Sequence, residues 1–416
     1  MPVVNIWGSL SPTTRAAYPT PPEPHEEWPL KGGAGTAWIY YSPLNRHQLI
    51  KPVILADGFS GGASDLGELW AGLEENGRFR FISELHALGR DVIVLGYRDR
   101  TASILDNADT AIECIRTAIR ERIGNARLVV GGFSMGGMVT RYALAKMQRD
   151  PNLPDPETSI YLSYDTPHHG AWLPISMQAF AHFLKDNWGG ASPIFSQFSD
   201  LINSPAARQM ARWHIGKIGD EPGQASERNI FLDRLEAVGG WPSGIRKIGV
   251  ANGVRTGIGN GIDPALTAVS GRGEILLDAT LRTQAMGEQI VATLHRAEQP
   301  PIEVPTSGLP DIDGAPGGLF PESPVLPGNP GSFGMAAMLM GLLGSEVDLQ
   351  FNTSCFIPAI SAVAAGRIDN RNALYSEIGI DDSELDAFAC ASKNEGHTLM
   401  TRELGEWIVN EIDSHS

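Results

Sequence analysis

The sequence predicts an α/β protein with a mostly parallel sheet flanked by helices. Short apolar runs of strand length alternate with longer stretches of helical spacing, and 416 residues suffice for one large domain with insertions. The runs are KPVILA (51–56), DVIVLG (91–96), RLVV (127–130), SIYLSY (159–164) and IRKIGVA (245–251). Strands that alternate with helices along a chain are typical of parallel sheets.

The other elements of this core follow from residue spacing. A first strand is predicted in TAWIYYSPL (36–44), and the stretch 68–89 has helical spacing. After the run DVIVLG, Ile112, Ile115, Ile119 and Ile123 recur at three- and four-residue steps, which places them on one face of a helix that Gly124 ends. Residues 138–147 are predicted to form the helix after RLVV.

The remaining segments differ in composition. The proline-rich residues 1–35 predict an extended N-terminal arm. Residues 36–170 and 241–416 are expected to form the core, and the aromatic-rich residues 171–240 a helical cap inserted into it. Residues 299–345, dense in proline and glycine over their first half, predict an irregular excursion of the chain.

Composition excludes several classes of function. The 32 basic and 48 acidic residues give a formal net charge of −16, which repels nucleic acid. Cys114, Cys355 and Cys390 have no CxxC spacing, so neither a zinc site nor a disulfide framework is predicted, and no cofactor is expected. Neither a signal peptide nor a membrane span is recognisable, so a soluble chain is expected, cytoplasmic or exported.

One motif in the sequence is typical of a nucleophilic serine. Residues 132–136, GFSMG, fit G-x-S-x-G directly after an apolar run and before a predicted helix. A sharp turn from strand to helix holds such a serine with its hydroxyl exposed, and the start of the helix offers positive potential to an oxyanion. Ser134 is therefore the predicted nucleophile.

An oxyanion hole needs two backbone amides, normally one from the residue after the nucleophile and one from a loop after an earlier strand. Met135 supplies the first. The glycine-rich loop DGFSGG (57–62) follows KPVILA, and the amide of Phe59 is the predicted second donor.

The base is expected after the last strand of the sheet. Among ten histidines, His397 lies after a predicted strand, FACAS (388–392), and is expected to open the final helix. His168 and His169, at the end of another strand, are the runners-up for the base, and their expected role is to line the site or to bond neighbouring loops.

Several segments resemble the α/β-hydrolase superfamily, and within it the lipases and esterases. The resemblance extends to bacterial hydrolases similar to the GPI inositol-deacylases, and it implies the α/β-hydrolase fold. The segments are DGFSGG (57–62), GGFSMGGMVTRYAL (131–144), SYDTPHHGAWLP (163–174), NSPAARQM (203–210), IGVANG (248–253), FIPAISA (356–362) and NEGHTLM (394–400).

The acid of the triad departs from the resemblance. Lipases of this kind often carry their aspartate in the loop that matches NTSCFIP (352–358), where this chain has Ser354. Asp165, at the end of a strand beside the nucleophile's, is the predicted replacement, and Asp263 is the alternative.

Three further aspartates are weaker candidates for the acid. The acidic loop around Asp311 and Asp313 is a third source of the carboxylate. Asp386 stands at the start of its strand, which is the wrong edge of the sheet.

The predicted function is hydrolysis of a hydrophobic small-molecule ester through an acyl-enzyme on Ser134. Trp172 and Met338, in the Met-rich stretch 334–343, are expected to line the substrate site, although a buried helix also fits that stretch. An acyltransferase with the same residues, a non-catalytic ligand-binding homologue, and an amidase or lactonase stay open as alternatives. Neither the substrate nor the oligomeric state is predicted.

Overall fold

The computed structural model describes residues 20–75, 78–273, 278–322 and 330–415. The strands are β1 (Glu26–Leu30), β2 (Gly35–Tyr40), β3 (Pro52–Ala56), β4 (Asp91–Tyr97), β5 (Leu128–Phe133), β6 (Thr158–Tyr164), β7 (Arg246–Ala251), β8 (Thr267–Arg272), β9 (Asp278–Arg282), β10 (Gln289–His295), β11 (Ile302–Thr306), β12 (Gly317–Leu319), β13 (Glu346–Leu349), β14 (Cys355–Pro358) and β15 (Ala387–Cys390). The helices are α1 (Leu66–Glu74), α2 (Phe81–Ala87), α3 (Ile104–Glu121), α4 (Met135–Arg149), α5 (Ile175–Trp188), α6 (Ile194–Ile202), α7 (Pro205–Met210), α8 (Ser226–Ala237), α9 (Ser332–Leu342), α10 (Ala359–Ala362), α11 (Arg371–Leu374) and α12 (Arg402–His415). Single 3-10 turns lie at Lys31–Gly33, Pro43–Asn45 and Ile380–Asp382.

A sheet of eight strands forms the centre, in the order β1-β2-β4-β3-β5-β6-β7-β15. From β4 to β15 every neighbouring pair is parallel, while β1 and β2 add antiparallel strands at one edge. Every residue of β3, β4 and β5 is buried, as expected for parallel strands that are covered on both faces. The predicted fold class, a mostly parallel sheet flanked by helices, is confirmed.

Helices cover the two faces of this sheet. On one face, Leu69 of α1, Phe81 of α2 and Leu404 of α12 join a core cluster with the sheet residues that point the same way. On the other face α3 and α4 pack against each other and on the sheet, and the apolar face of α3 includes Ile112 and Ile115. The final turn of the predicted isoleucine pattern lies outside α3, because Ile123 follows the helix and is exposed.

A second sheet lies in the region 267–349 and is wholly antiparallel, in the order β11-β10-β9-β8-β13. The expectation of an irregular excursion at 299–345 is therefore wrong for β11 and for the buried helix α9, which packs on β8 and β13. Residues 323–329 of that excursion lie outside the described residues. The proline content of this stretch led to the expectation of a loop. Pro305, however, lies in β11, an edge strand, and edge strands tolerate proline.

The predicted N-terminal arm, 1–35, is also corrected. Residues 1–19 lie outside the described part of the chain, but 26–30 form β1, paired along its length with β2. Pro29 again occupies an edge strand, which tolerates proline.

The stretch 171–240, predicted as a helical cap, contains α5 to α8. Helix α5 packs against α6 and also against β9 and β10 of the second sheet. No helix among the described residues is both long and apolar enough to cross a membrane.

Candidate active site

Five neighbouring strands end at one edge of the central sheet, and each is followed by a residue of interest. Asp57, Ser134, Asp165 and Asn252 come directly after β3, β5, β6 and β7. His397 lies in the loop after β15, the next strand in the sheet. The carboxyl ends of parallel strands meet at one edge, where open α/β sheets bind their ligands.

Ser134 occupies a strained turn between β5 and α4. Its φ of 53° and ψ of −122° lie outside the ordinary regions for a residue with a side chain, and its amide donates to the Tyr164 carbonyl at 2.9 Å. Glycine is required on both sides: a Cβ on Gly132 would come 2.4 Å from the carbonyl carbon of Gly136, and one on Gly136 the same distance from the Ala56 oxygen. The serine is 7% exposed. This backbone is the sharp turn that G-x-S-x-G motifs form.

Two backbone segments lie beside Ser134. Met135 is the first residue of α4, so its amide is among the helix-start donors that have no acceptor within the helix. The loop after β3 approaches from the other side, since a Cβ on Gly58 would lie 3.3 Å from the Ser134 Cβ.

The carboxylate of Asp57 fixes this loop. It accepts from the Gly58 amide and from Ser64 Oγ, both at 2.6 Å, and it lies 3.5 Å from Arg100 Nη1. Burial raises the pKa of Asp57, and the positive charge of Arg100 lowers it. Phe59, the predicted second donor, follows Gly58 in this loop.

His397 and Asp165 are hydrogen-bonded. Nδ1 of His397 donates to Oδ2 of Asp165 at 2.6 Å, and Oδ1 accepts from the Asn252 amide at 3.0 Å. Asp165 is fully buried and has a φ of 46°. His397 was expected to open the final helix, but α12 begins at Arg402, so the histidine lies in a loop.

The bond to Asp165 also determines the protonation of Nε2, the second ring nitrogen of His397. Since a carboxylate only accepts, Nδ1 carries the hydrogen, and Nε2 of the neutral ring is left as an acceptor. Nε2 is buried and has no hydrogen-bond partner among the described residues, Ser134 included. The ring of Phe356 stands edge-on to the imidazole at 5.1 Å between centroids.

The loop that contains His397 and Leu399 is held by residues outside the predicted site. Asn252 Nδ2 and Tyr164 Oη both donate to the Leu399 carbonyl at 2.8 Å. The His397 amide donates to the Leu319 carbonyl in β12, also at 2.8 Å. The sequence could have indicated Asn252 in IGVANG, because it follows β7 directly, just as Asp165 follows β6.

The other candidate acids are engaged elsewhere. Asp263 is exposed, Asp311 is paired with Arg371 at 2.7 Å, and Asp386 contacts Lys247 at 3.2 Å. Asp313 accepts from Trp172 Nε1 and from the Gln284 amide, and burial raises its pKa to about 6. His397 is thus bonded to Asp165 and not to the alternative Asp263.

Ser354, which stands where related lipases carry their acid, is buried in this structure. Its Oγ lies 3.0 Å from Oγ of Ser332, and its carbonyl accepts from the Phe320 amide. The serine belongs to the packing between the start of α9 and β14.

An apolar pocket lies between the loop after β3 and the segment 171–214. Its lining residues come from that loop, from the segment 171–214 and from β14: Phe59, Ala171, Leu173, Gln178, Leu201, Ile202, Ala207, Met210, Ala211, His214 and Phe356. Phe59 connects it to the predicted oxyanion loop and Phe356 to His397, so the pocket adjoins the histidine and the loop.

The four residues expected to line the substrate site are not part of this pocket. Trp172 points away from it, because neighbouring side chains of an extended segment alternate and Ala171 and Leu173 face the pocket. His169 contacts Glu384 at 3.3 Å, and Met338 packs partly buried against the core from α9.

His168 belongs to a buried cluster instead. Its Nε2 lies 2.9 Å from Ser163 Oγ and its Nδ1 3.2 Å from Arg141, whose guanidinium stacks on Trp241. Burial, followed by the charge of Arg141, lowers the pKa of His168 well below its usual value. A neutral histidine sealed against an arginine serves packing and has no access to the pocket.

Comparison with known families agrees with this arrangement. The model of the phospholipase/carboxylesterase family matches residues 95–152, which contain β5, Ser134 and α4. The sheet and the turn at Ser134 are those of an α/β-hydrolase fold, and the matched segment is lipase- and esterase-like. The match supports an enzyme of the ester-hydrolysing type.

Solved structures that match this α/β-hydrolase are similar over parts of the chain. The mature form of the Bacillus licheniformis lipase BlEst2 is 14% identical over 51% of this chain and 71% of its own, with a TM-score of 0.32. Its propeptide form is 15% identical over 56% of this chain and 41% of its own, with a TM-score of 0.34. A hyperthermophilic esterase from the archaeon Pyrobaculum calidifontis is 16% identical over 54% of this chain and 74% of its own, with a TM-score of 0.28. A search of curated proteins gives no match.

Proposed function

We propose that the protein hydrolyses a carboxylic ester of a hydrophobic small molecule, with Ser134 as nucleophile, His397 as base and Asp165 as the acid that orients the base. The observation that carries the proposal is the bond of 2.6 Å from His397 Nδ1 to the buried Asp165. It leaves Nε2 as the proton acceptor at the sheet edge where Ser134 stands on its strained turn.

The mechanism has two stages. His397 Nε2 takes the proton of the Ser134 hydroxyl as its oxygen attacks the ester carbonyl, and the imidazolium that forms faces the Asp165 carboxylate. Return of the proton to the departing alcohol leaves an acyl-serine, and a water molecule that His397 deprotonates then releases the acid.

The developing oxyanion is assigned to the amides of Met135 and Phe59. Met135 contributes the amide of the first residue of α4, which has no acceptor within the helix. The loop that bears Phe59 is held by Asp57 and lies against Ser134. Removing one such donor typically raises the barrier by about 3 kcal/mol, so the fixed loop matters as much as the base.

The pocket beside the site supports a hydrophobic substrate. Apart from Gln178 and His214 its described lining residues are apolar, and the volume open within it is about 40 Å³. Such a lining suits an apolar part of a ligand. The substrate class is therefore an ester with an apolar part that reaches this pocket.

The test is labelling with a fluorophosphonate probe, which forms an adduct with activated serines, followed by mass spectrometry of the modified peptide. We expect the adduct on Ser134, and loss of both adduct and ester hydrolysis in Ser134→Ala with the fold intact. Ser163→Ala is the matched control, since Ser163 also lies near a histidine but is fully buried. Full hydrolysis by Ser134→Ala would end the proposal.

Product analysis separates hydrolysis from transfer. With an ester and a competing alcohol present, we expect free acid as the main product. A product that forms only when the alcohol is added would identify an acyltransferase that uses the same residues.

A further inference from the structure

A buried arginine lies behind the loop that is assigned to the oxyanion hole. Arg100 follows the end of β4 by three residues, and its side chain is 2% exposed. Burying a guanidinium costs free energy unless its donors and its charge find partners in the protein. The proposed chemistry does not use this arginine, so its partners indicate what it does.

The partners of Arg100 belong to the loop after β3 and to α1. Nη2 donates to the Gly61 carbonyl at 3.1 Å, and Nη1 lies 3.3 Å from the carboxylate of Glu68 and 3.5 Å from that of Asp57. The backbone amide of Arg100 donates to the Gly62 carbonyl at 3.0 Å. One residue therefore contacts the loop 57–62 both at its start and at its end.

Phe59, whose amide is the proposed second oxyanion donor, lies midway between these contacts. Asp57 stands two residues before it and Gly61 two residues after it. The same short segment passes the nucleophile, since a Cβ on Gly58 would lie 3.3 Å from the Ser134 Cβ. A segment that is held at both ends presents its amides in a fixed direction, as a preorganised site requires.

The charge of Arg100 matters at this place as well as its hydrogen bonds. Burial raises the pKa of Asp57, and the charge of Arg100 lowers it. The guanidinium thus favours the ionised carboxylate that accepts from the Gly58 amide and from Ser64 Oγ. An uncompensated carboxylate in this loop would oppose the negative charge of an oxyanion nearby, and the guanidinium offsets it.

We propose that Arg100 is a positioning residue of the oxyanion hole, which holds the loop that carries the Phe59 amide and balances the charge of Asp57. The inference rests on the proposed function of the site, and it adds a residue that touches neither the substrate nor the reacting atoms. Because Arg100 acts on the oxyanion that forms during the reaction, its loss should weaken the transition state more than the bound substrate.

Two substitutions at Arg100 separate geometry from charge. Arg100→Lys keeps the positive charge, but an ammonium lacks the fork that binds the Gly61 carbonyl and the carboxylates together, and kcat should fall about tenfold. Arg100→Met removes the charge too, and kcat should fall about 10²-fold, as for a lost oxyanion donor. In both variants KM should change much less than kcat, measured by steady-state hydrolysis of a short-chain ester.

Arg122→Lys is the matched control for the loss of a buried arginine. The Arg122 side chain is 6% exposed, and it binds the Ala126 carbonyl at 2.6 Å and the Glu157 carboxylate at 2.5 Å. These partners precede β5 and β6, so the pair lies at the edge of the sheet opposite Ser134. Arg122→Lys should lower the melting temperature and leave kcat unchanged, which separates lost stability from a lost position of the loop.

A reversible inhibitor reports on the oxyanion hole without turnover. The Ser134 oxygen adds to the carbonyl carbon of trifluoromethyl butyl ketone, the serine proton passes to His397, and the carbonyl oxygen becomes the oxyanion of a hemiketal. With this carbon isotopically labelled, NMR follows the pH at which the oxyanion is protonated. That pH should be higher in Arg100→Lys than in the wild type, and the ketone should bind more weakly. The matching secondary alcohol, which forms no hemiketal, should bind equally to both.

The outcomes distinguish this inference from the proposed function. Arg100→Met leaves two buried carboxylates without their counter-charge and can fail to fold, so Arg100→Lys carries the test. A hemiketal that titrates identically in the wild type and in Arg100→Lys, with equal kcat well below the melting temperature, would overturn the inference alone. An equal loss of kcat in Arg122→Lys would also overturn it. Absence of any hemiketal on the wild type would overturn the proposed function and this inference together.

Discussion

Nδ1 of His397 donates to Oδ2 of Asp165 across 232 positions of sequence, at a distance of 2.6 Å and out of contact with solvent. The two residues meet because β6, which Asp165 follows, is separated from β15 in the sheet only by β7. Asn252, which follows β7, fills the position between them and donates its amide to the second carboxylate oxygen. Three neighbouring strand ends thus fix the tautomer and the direction of one imidazole.

Asp165→Asn should lower kcat by about 10³–10⁴-fold, because an amide can present its NH₂ to Nδ1 and so stabilise the wrong tautomer. KM should change little, since Asp165 is sealed away from the pocket. The measurement is steady-state hydrolysis of a short-chain ester together with the rate of fluorophosphonate labelling.

Asp263→Asn is the matched control for this substitution. Its side chain is exposed, and we expect kcat within a factor of about two of the wild type, in line with surface substitutions generally. Loss of activity in Asp263→Asn with activity retained in Asp165→Asn would reverse the assignment of the acid.

Asn252→Ala should act through the position of His397. The substitution keeps the backbone bond to Asp165 but removes the bond from Nδ2 to the Leu399 carbonyl, which holds the histidine loop. We expect kcat to fall about tenfold at an unchanged KM, since a small misplacement of a catalytic group is costly.

Tyr164→Phe tests the same loop from the neighbouring strand. It removes the second donor to the Leu399 carbonyl and leaves the aromatic packing on Phe133 intact. The double variant Asn252→Ala/Tyr164→Phe should lose more kcat than the losses of the two single variants combined, because either donor alone still binds the Leu399 carbonyl. Strict additivity in kcat would argue that the two bonds do not share a function.

The sequence was sufficient for β3 to β7 of the central sheet because these strands are largely buried on both faces and therefore appear as continuous apolar runs. It did not predict β1, an edge strand that is mostly exposed. The antiparallel sheet of 267–349 was not predictable in this way. Its strands mix buried with partly exposed residues and therefore lack a continuous apolar run, and Pro305 in the edge strand β11 resembled a loop signal.

For the site, strand order explains both the successes and the omissions. Ser134 was proposed from its G-x-S-x-G motif between a strand and a helix, and Asp165 and His397 because each follows a strand of a parallel sheet. The same rule applied to β7 points to Asn252. This rule does not identify His214 and Gln178 as pocket residues, because neither follows a strand of the parallel sheet. They lie in irregular or helical parts of the segment 171–240, and only the folded chain shows which side chains turn toward the pocket.

Gly318→Ala should reduce activity without a change in the catalytic residues. A Cβ at this position would lie 2.1 Å from Asp165 Oδ2, the oxygen that accepts from His397. Either β12 or the carboxylate must move, and β12 also accepts the His397 amide through Leu319. We expect a loss in kcat of about 10²-fold, measured with the short-chain ester.

Gly341→Ala provides the comparison for Gly318→Ala. No atom lies within 4 Å of a Cβ at Gly341, which is near the end of α9. Activity should be unchanged, and the free energy of unfolding should rise by up to about 1 kcal/mol because alanine restricts the unfolded chain. Equal activities of the two alanine variants would mean that the carboxylate tolerates displacement.

Asp313→Asn should change how stability depends on pH. Burial raises the pKa of this carboxyl from 3.8 to about 6, so the folded chain binds its proton more tightly than the unfolded chain does. The stability that this contributes is complete below about pH 4 and is lost as the pH rises through about 6. Urea unfolding from about pH 4 to about pH 7 should therefore show the variant gaining on the wild type by on the order of 3 kcal/mol. Strong salt should leave this gain in place, because a buried group is little screened. A difference between variant and wild type that stays constant over this range would mean that the Trp172 and Gln284 donors outweigh burial and keep Asp313 ionised.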